Sequence, residues 1–350
     1  MVLEFIDFSK LESAWKAMED NTVSPFMYYD YMAYIVRSEK KDPFSKVLIA
    51  CIKDSSEGEI LMIVPLCKRF SLKGSYYKML GDLGGCDIAG PLYKSGLTEG
   101  EKSECIKFFY DSMKDQKMYL RRLLFNSPFY LEAPKDRIAS EEKIGYVNIH
   151  VPTDFESYLM SLSGYSRHNV RRAYNRMERD GVNYRLEVYT KDNPIPSDVW
   201  KLLMKTYYAR FHAKYKRGVF SDETKGGFIV QTLKYIHYRT IKKLWFYTKH
   251  DSKSIRELDN SRICVLWNGD EMIAFLCGFM THDNVTYSLS RLAINEKYNY
   301  YTPGCILIAE VLKYLMTTGV TVNLDMSRGD EQYKFKMGGI EYFTYDILLK

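Results

Sequence analysis

Apolar residues recur at helical spacing in residues 9–20 (Leu11, Trp15, Met18) and again after Ser24-Pro25-Phe26, through Tyr28, Tyr31, Met32 and Tyr34. Two apolar runs at 46–52 and 60–68 read as strands. They are joined by Asp54-Ser55-Ser56-Glu57-Gly58, which has the composition of a hairpin turn. Gly81-Asp82-Leu83-Gly84-Gly85 leads to Asp87-Ile88-Ala89-Gly90-Pro91, and a helix at 99–114 and a strand at 119–125 close the unit. Helices mixed with hairpin strands in this order predict an α+β or mixed α/β fold, not a doubly wound one.

The polar stretch 132–143 reads as a linker, after which the pattern begins again. A strand at 146–151, helices at 153–162 and 166–180, a strand at 184–189 and helices at 197–212 and 221–236 lead into a meander. The meander runs through 243–248, 262–268 and 271–280, and its turn at Asn268-Gly269-Asp270 tolerates the positive φ of a tight hairpin. After His282-Asp283-Asn284 come a strand at 285–294, a helix at 303–317 stopped by Gly319, a strand at 320–325 and a last strand at 342–349. A length of 350 residues exceeds what one core usually holds. The chain is therefore expected to divide into domains at 1–145 and 146–350, the second an elaborated copy of the first.

Composition narrows the picture only a little. The chain is 46% hydrophobic and 27% charged, which excludes a disordered protein. Its 30 Tyr can line a wet cleft as easily as a core. A net charge of +6 suits an anionic ligand and falls short of a dedicated nucleic-acid binder. The 7 Cys form no CxxC pair and lie largely in apolar runs, as reduced thiols do. Met1–Asp7 carries acidic residues where a signal peptide needs basic ones, and no run approaches a membrane span. The expectation is a soluble, cytoplasmic protein.

Three local constellations carry candidate chemistry. In Tyr301-Thr302-Pro303-Gly304-Cys305, Thr302 is a plausible N-cap, Pro303 fits the first helical position, and Gly304 lets a ligand approach the unpaired first-turn N–H groups. The same residues would also serve an ordinary core helix. In the run from Asp325 to Gly338, a strand delivers Asp325 to its end, with Arg328 and Lys334 as cations beside it and Tyr333 as a phenol. Transfer from a thioester needs an oxyanion stabiliser, which Lys334 or Arg328 could be, and a proton for the thiolate, which Tyr333 could give. A structural ion pair between Asp325 and Arg328 is the alternative. The third is a basic helix from Ser166, its expected N-cap, to Gly181. Arg167, Arg171 and Arg172 offer an anion site there, or simply a solvated face. HExxH, P-loop, GxGxxG, GxSxG and Cys/His metal spacings are all missing, so no metal is expected. Of the dispersed histidines, only His282 lies near these features, as a weak general-base candidate.

These three constellations together, with Ser24-Pro25-Phe26 at the head of the first half, resemble the CelD/BioF-type acetyltransferase domain of the GNAT superfamily, which is related to the Fem peptidyltransferases. The resemblance implies two GNAT-like acyl-CoA N-acyltransferase domains, each a mixed twisted sheet flanked by helices, with the cleft in the second. It implies acetyl-CoA or another acyl-CoA as co-substrate, held by Pro303, Gly304, Cys305 and Leu292. The acceptor would be a small amine such as an amino sugar, in polysaccharide or cell-envelope biosynthesis. The usual Gln/Arg-x-x-Gly-x-Gly/Ala pyrophosphate loop is replaced here by Pro303-Gly304-Cys305. Fem relatives also lack that loop and use aminoacyl-tRNA, which makes a Fem-like aminoacyl transferase the alternative and a non-catalytic binding scaffold a further one. The first half lacks a counterpart of the Asp325–Asp330 cluster and is expected to be structural or to bind the acceptor.

Overall fold

The computed structural model describes residues 1–20, 23–71, 74–81, 86–221 and 256–350, with 211–221 by backbone alone. The expected helix at 221–236, the strand at 243–248 and Asp82–Gly85 of the glycine-rich stretch lie essentially outside the described residues.

The first half contains β1 (Val2–Ile6), α1 (Glu12–Ala17), α2 (Tyr29–Glu39), β2 (Ser45–Lys53), β3 (Ile60–Ser71), β4 (Gly74–Met79), β5 (Leu92–Tyr93), α3 (Glu99–Ser112), β6 (Met118–Leu124) and α4 (Pro128–Leu131). The second contains β7 (Ile138–His150), α5 (Phe155–Ser161), α6 (Gly164–Arg179), β8 (Tyr184–Tyr189), α7 (Ser197–Ser221), β9 (Ser261–Asn268), β10 (Glu271–Met280) and β11 (Thr286–Ile294). It ends with α8 (Pro303–Thr317), β12 (Asn323–Arg328), α9 (Gln332–Lys336) and β13 (Gly339–Leu349).

All the strands join one mixed sheet in the order β1-β2-β3-β4-β6-β13-β7-β12-β11-β10-β9-β8, with β5 on β3. The order is a palindrome of roles. On each side an antiparallel run ends in a strand (β4 or β11) that pairs in parallel with the next (β6 or β12) after a helical crossover through α3 or α8. β7 and β13 meet in the middle, antiparallel, from Gly339↔Ile149 to Leu349↔Ile138. β13, the last strand of the chain, bonds β6 of the first half, and β7 bonds β12 of the second.

Local chemistry accounts for the element ends. Thr98 and Glu101 form a reciprocal capping box on α3. Ser163, not Ser166, caps α6, its hydroxyl accepting from the Ser166 N–H (3.2 Å), so that helix starts two residues earlier than its sequence suggests. The expected linker at 132–143 is half strand. Its polar residues 140–143 sit in β7 opposite β13, where exposure rather than disorder explains the composition. β1 and β4, short and partly polar, escaped the hydrophobic pattern.

In the second half one face of the sheet packs with α7 into one core cluster and the other face packs against α5, α6 and α8 in a second. The first cluster also takes in α1–α4 and the consecutive residues Ile49–Ile52 of β2, so both faces are covered in the first half. In α8 the side chains of Ile306, Leu307, Ile308, Val311, Leu312 and Leu315 are fully buried, each worth about 1.5–3 kcal/mol over exposure. That explains a helix apolar almost all round.

β10 and β11 lose register between Cys277 and Gly278, leaving Ser290 as an extra residue on β11. A Cβ on Gly278 would lie 2.1 Å from the Ser288 carbonyl oxygen, so only glycine fits. Gly278→Ala should therefore cost well over 2 kcal/mol in urea denaturation. Gly164→Ala, at an open first-turn position, should be neutral or stabilising.

Candidate functional site

β12 alternates. Leu324 and Met326 enter the second core, while Asn323 and Asp325 face the other way. The register carries this polar face sideways, because Ser288, Asp325 and Asn148 lie abreast on β11, β12 and β7, as do Thr286 and Asn323. Tyr342 on β13 continues it and donates its phenolic hydrogen to Asp325 Oδ1 (2.9 Å). These residues floor a cleft of about 440 Å³. Val23, Ser24 and Pro25, together with Ile88 and Leu124–Asn126, wall it from the first half. The cleft thus lies where the two halves of the sheet meet.

Asp325 is the charged group on the cleft floor, and its titration is displaced. It is 5% exposed, and burial pushes its carboxyl from an ordinary 3.8 up to about 6. Hydrogen bonds from the Ser327 N–H (2.9 Å) and Tyr342 oppose the rise, and the nearby carboxylate of Asp87 adds to it. Asp87, itself raised by burial, pairs with Arg122 at 3.2 Å. Arg328 is exposed and acts on Asp87, so it does not form the ion pair with Asp325 that the sequence allowed.

Just past Asp325 the sheet opens. The parallel pairing of β11 with β12 ends at Ser288↔Asp325, and the strands diverge. Ser327, left-handed at φ 58°, turns its N–H onto Asp325 and its hydroxyl onto the Leu289 carbonyl, bridging the mouth of the splay. Lys334 underpins this turn. Buried to 2% exposure, its ammonium donates to the carbonyls of Ser327 (3.2 Å), Arg328 (2.8 Å) and Gly329 (3.0 Å) and pairs with Glu331 at 3.1 Å. With its donors committed to the chain, Lys334 fits a structural clamp better than an oxyanion stabiliser.

Tyr333 lies on the other side of the sheet, half-buried against the second core. Burial pushes its phenol up to about 12, and Arg210 is the cation that acts on it. Arg210, on α7, also reaches the Leu292 carbonyl at 3.4 Å, so Tyr333, Leu292 and Arg210 gather about the splayed part of β11. Pro303, Gly304 and Cys305 open α8 on this same side. Thr302 is not the expected cap. It is left-handed (φ 54°), and its hydroxyl makes no capping bond. A Cβ on Gly304 would meet only Ile294 Cγ2 at 3.9 Å, which leaves the helix start sterically open.

The structure does not bring Arg167, Arg171 and Arg172 to the cleft. α6 packs through Val170, Ala173 and Met177 into the second core, across the sheet from Asp325. Arg171 pairs with Glu156 (3.0 Å), Arg172 bonds Asn169 (2.9 Å) and Arg167 bonds Met160. Arg176 and Arg179 instead grip Tyr300 just before α8. His282 stacks on Tyr28 (4.0 Å) and contacts Glu19 (2.9 Å), which joins the halves beside the cleft wall. Asn148, Tyr342 and Arg210 were missed from the sequence. Polar–apolar alternation in Tyr146-Val147-Asn148-Ile149-His150 was the available signal, but in a strand it ordinarily means solvent.

Residues 252–335 match the family model described as Acetyltransferase (GNAT) domain. No curated protein matches the chain. Solved structures match it end to end. FemX is 10% identical, with 100% of this chain and 98% of that one covered and a TM-score of 0.57. L-PGS from Bacillus licheniformis is 15% identical, covering 99% and 93%, at 0.55. A conserved protein of unknown function from Bacteroides thetaiotaomicron is 12% identical, covering both chains fully, at 0.54. The fold is that of the GNAT superfamily, in its Fem-related form. No described helix is long and apolar enough to cross a membrane, and the described residues hold no cluster suited to a metal.

Lys334→Met should strip three buried carbonyls of their donor and lower stability by about 3 kcal/mol or more in urea, whereas Tyr333→Phe should leave it nearly unchanged. Asp325 gives a pH signature. Its folded value lies above the unfolded one, so the protonated form favours the folded state, and stability is lost as pH rises from about 4 through 6. Asp325→Asn should abolish that loss and melt higher than wild type at pH 7.5, by an amount on the order of 3 kcal/mol.

Proposed function

We propose that the protein is an acyl-CoA-dependent N-acyltransferase acting on a small amine such as an amino sugar, with its chemistry in 146–350 and the first half walling the acceptor cleft. A cytoplasmic enzyme serving polysaccharide or cell-envelope assembly fits this reading. The carrying observation is the splay beyond Ser288↔Asp325, where β11 and β12 no longer pair. Asp325 stands on one face and Tyr333 and the start of α8 on the other.

In this arrangement the acyl thioester approaches from the α8 side, its phosphates near Gly304, and the amine from the cleft. Asp325, half ionised near pH 6, takes a proton from the incoming ammonium. The amine nitrogen bonds the thioester carbon, and the main-chain edge of β11 freed beside Leu292 faces the transient oxyanion. As the C–S bond breaks, the Tyr333 phenol, kept protonated at neutral pH, supplies the thiolate's proton, and the surplus proton on the new amide nitrogen leaves through solvent to restore the phenol.

Calorimetric titration with acetyl-CoA tests the donor. Wild type should bind in the micromolar range and Gly304→Glu should not, since the substituted side chain has room in the fold and fills the approach. Asp325→Asn should lower kcat at least about 100-fold, and wild-type kcat should rise with pH through about 6. Absence of acetyl-CoA binding would overturn the CoA reading in favour of an aminoacyl-tRNA donor. One observation favours that second reading: Pro303 has no N–H and that of Cys305 bonds Thr302 (2.9 Å), so α8 offers a pyrophosphate less than a glycine loop does.

A further inference from the structure

The cleft's lining is informative about what it admits. Among the described residues, Asp325 on the floor is the one charged side chain that faces it; Glu341, on the rim, turns its side chain to the opposite face of the sheet, beside Gly145. The remaining polar lining is neutral amide and hydroxyl, which both donates and accepts. Asn148 donates to Asn323 Oδ1 (2.9 Å), and its own Oδ1, shielded from solvent, receives no hydrogen bond. A buried acceptor left open in a cleft matches a donor on the ligand. Lys334, the cation that acts on Asp325, is committed to the carbonyls of Ser327, Arg328 and Gly329, and Arg122 is bound to Asp87 and to the Cys86 carbonyl (3.0 Å). A phosphate or carboxylate brought here would lose water, find no cation among the described lining residues and face the Asp325 carboxyl. At the mouth, Phe125 and Ile340 are 45% and 68% exposed, large apolar side chains placed to cover the apolar face of a ring.

We propose that the acceptor cleft selects a hydroxylated primary amine bearing neither phosphate nor carboxylate, a free amino sugar rather than a nucleotide-linked sugar or a phospholipid headgroup. The assignment of this ligand as acceptor rests on the acyl-transfer reading; the charge selection does not.

Calorimetry with D-glucosamine and D-glucosamine 6-phosphate as probes tests it, on the full chain. Wild type should bind glucosamine at least about tenfold more tightly than the phosphate. Asn126→Lys, at an exposed position on the cleft wall, should shift that ratio toward the phosphate by about tenfold or more. Asn148→Leu should weaken glucosamine by about tenfold. Equal or tighter binding of the phosphate by wild type overturns the proposal, as does the absence of binding of either probe to folded protein. Acetyl transfer to the same probes separates the two ideas. Selective binding without transfer defeats the acyltransfer reading and leaves the charge selection standing. Transfer that prefers the phosphate defeats the selection and leaves acyl transfer standing.

Discussion

The pairing of β7 with β13 is the constraint on which the rest of the molecule depends. β13, the last strand of the second half, bonds β6, the innermost strand of the first, while β7 opens the second half and bonds its β12. The crossing makes one sheet of the two halves and ties them through an antiparallel ladder continuous from Gly339 to Leu348, with Phe26 and Tyr31 packing on Phe279 beside it. It also sets the cleft. Asn148 and Tyr342 come from these two central strands, and Asp325 stands beside them only because β12 lies against β7. Separating the halves at residue 145 would cut β7 in its middle.

The splay is the second commitment, and the fold spends stability to keep it. A parallel pair that stops after three residues leaves main-chain groups without ladder partners. Ser327 in a left-handed turn, a lysine buried beneath three carbonyls and a glycine that alone fits beside Ser288 all hold that opening. The repeat equivalent of Ser327 is Arg122, also left-handed (φ 63°), whose N–H bonds the Asp346 carboxylate. There the feature is sealed by the Arg122–Asp87 pair, so the first half keeps the shape of the turn without an open cleft.

Much of this was legible in the sequence, and what was not has physical causes. Helices with strong periodicity or clear punctuation were readable, α8 with Gly319 and the Gly269 hairpin among them. The linker reading failed because residues 140–143 are polar where both faces of a paired strand are exposed, and pattern alone cannot tell that from disorder. Asp325 was expected at the end of a strand at 320–325 and lies instead within β12, where its pairing to β11 stops, while Tyr333 falls in α9 on the other side of the sheet. Lys334 could not be placed, because sequence gives a charge but not what it touches. The Arg167–Arg172 cluster misled for the opposite reason: its charge is real, but the apolar stripe of the same helix turns it away from the cleft.

The distribution of charge follows from the same sheet. The basic residues of α6, together with Lys336 beside Cys305, lie on the face where α8 begins. The opposite face carries Asp325, with Asp87 near it. A net charge of +6 therefore describes neither face. In the proposed reaction an anionic donor and a cationic amine would be drawn to opposite faces and meet where strand pairing stops. The buried carboxyl of Asp325 is costly to ionise, and an ammonium in the cleft would offset part of that cost, so on this proposal the arriving acceptor would itself promote the ionised form that removes its proton.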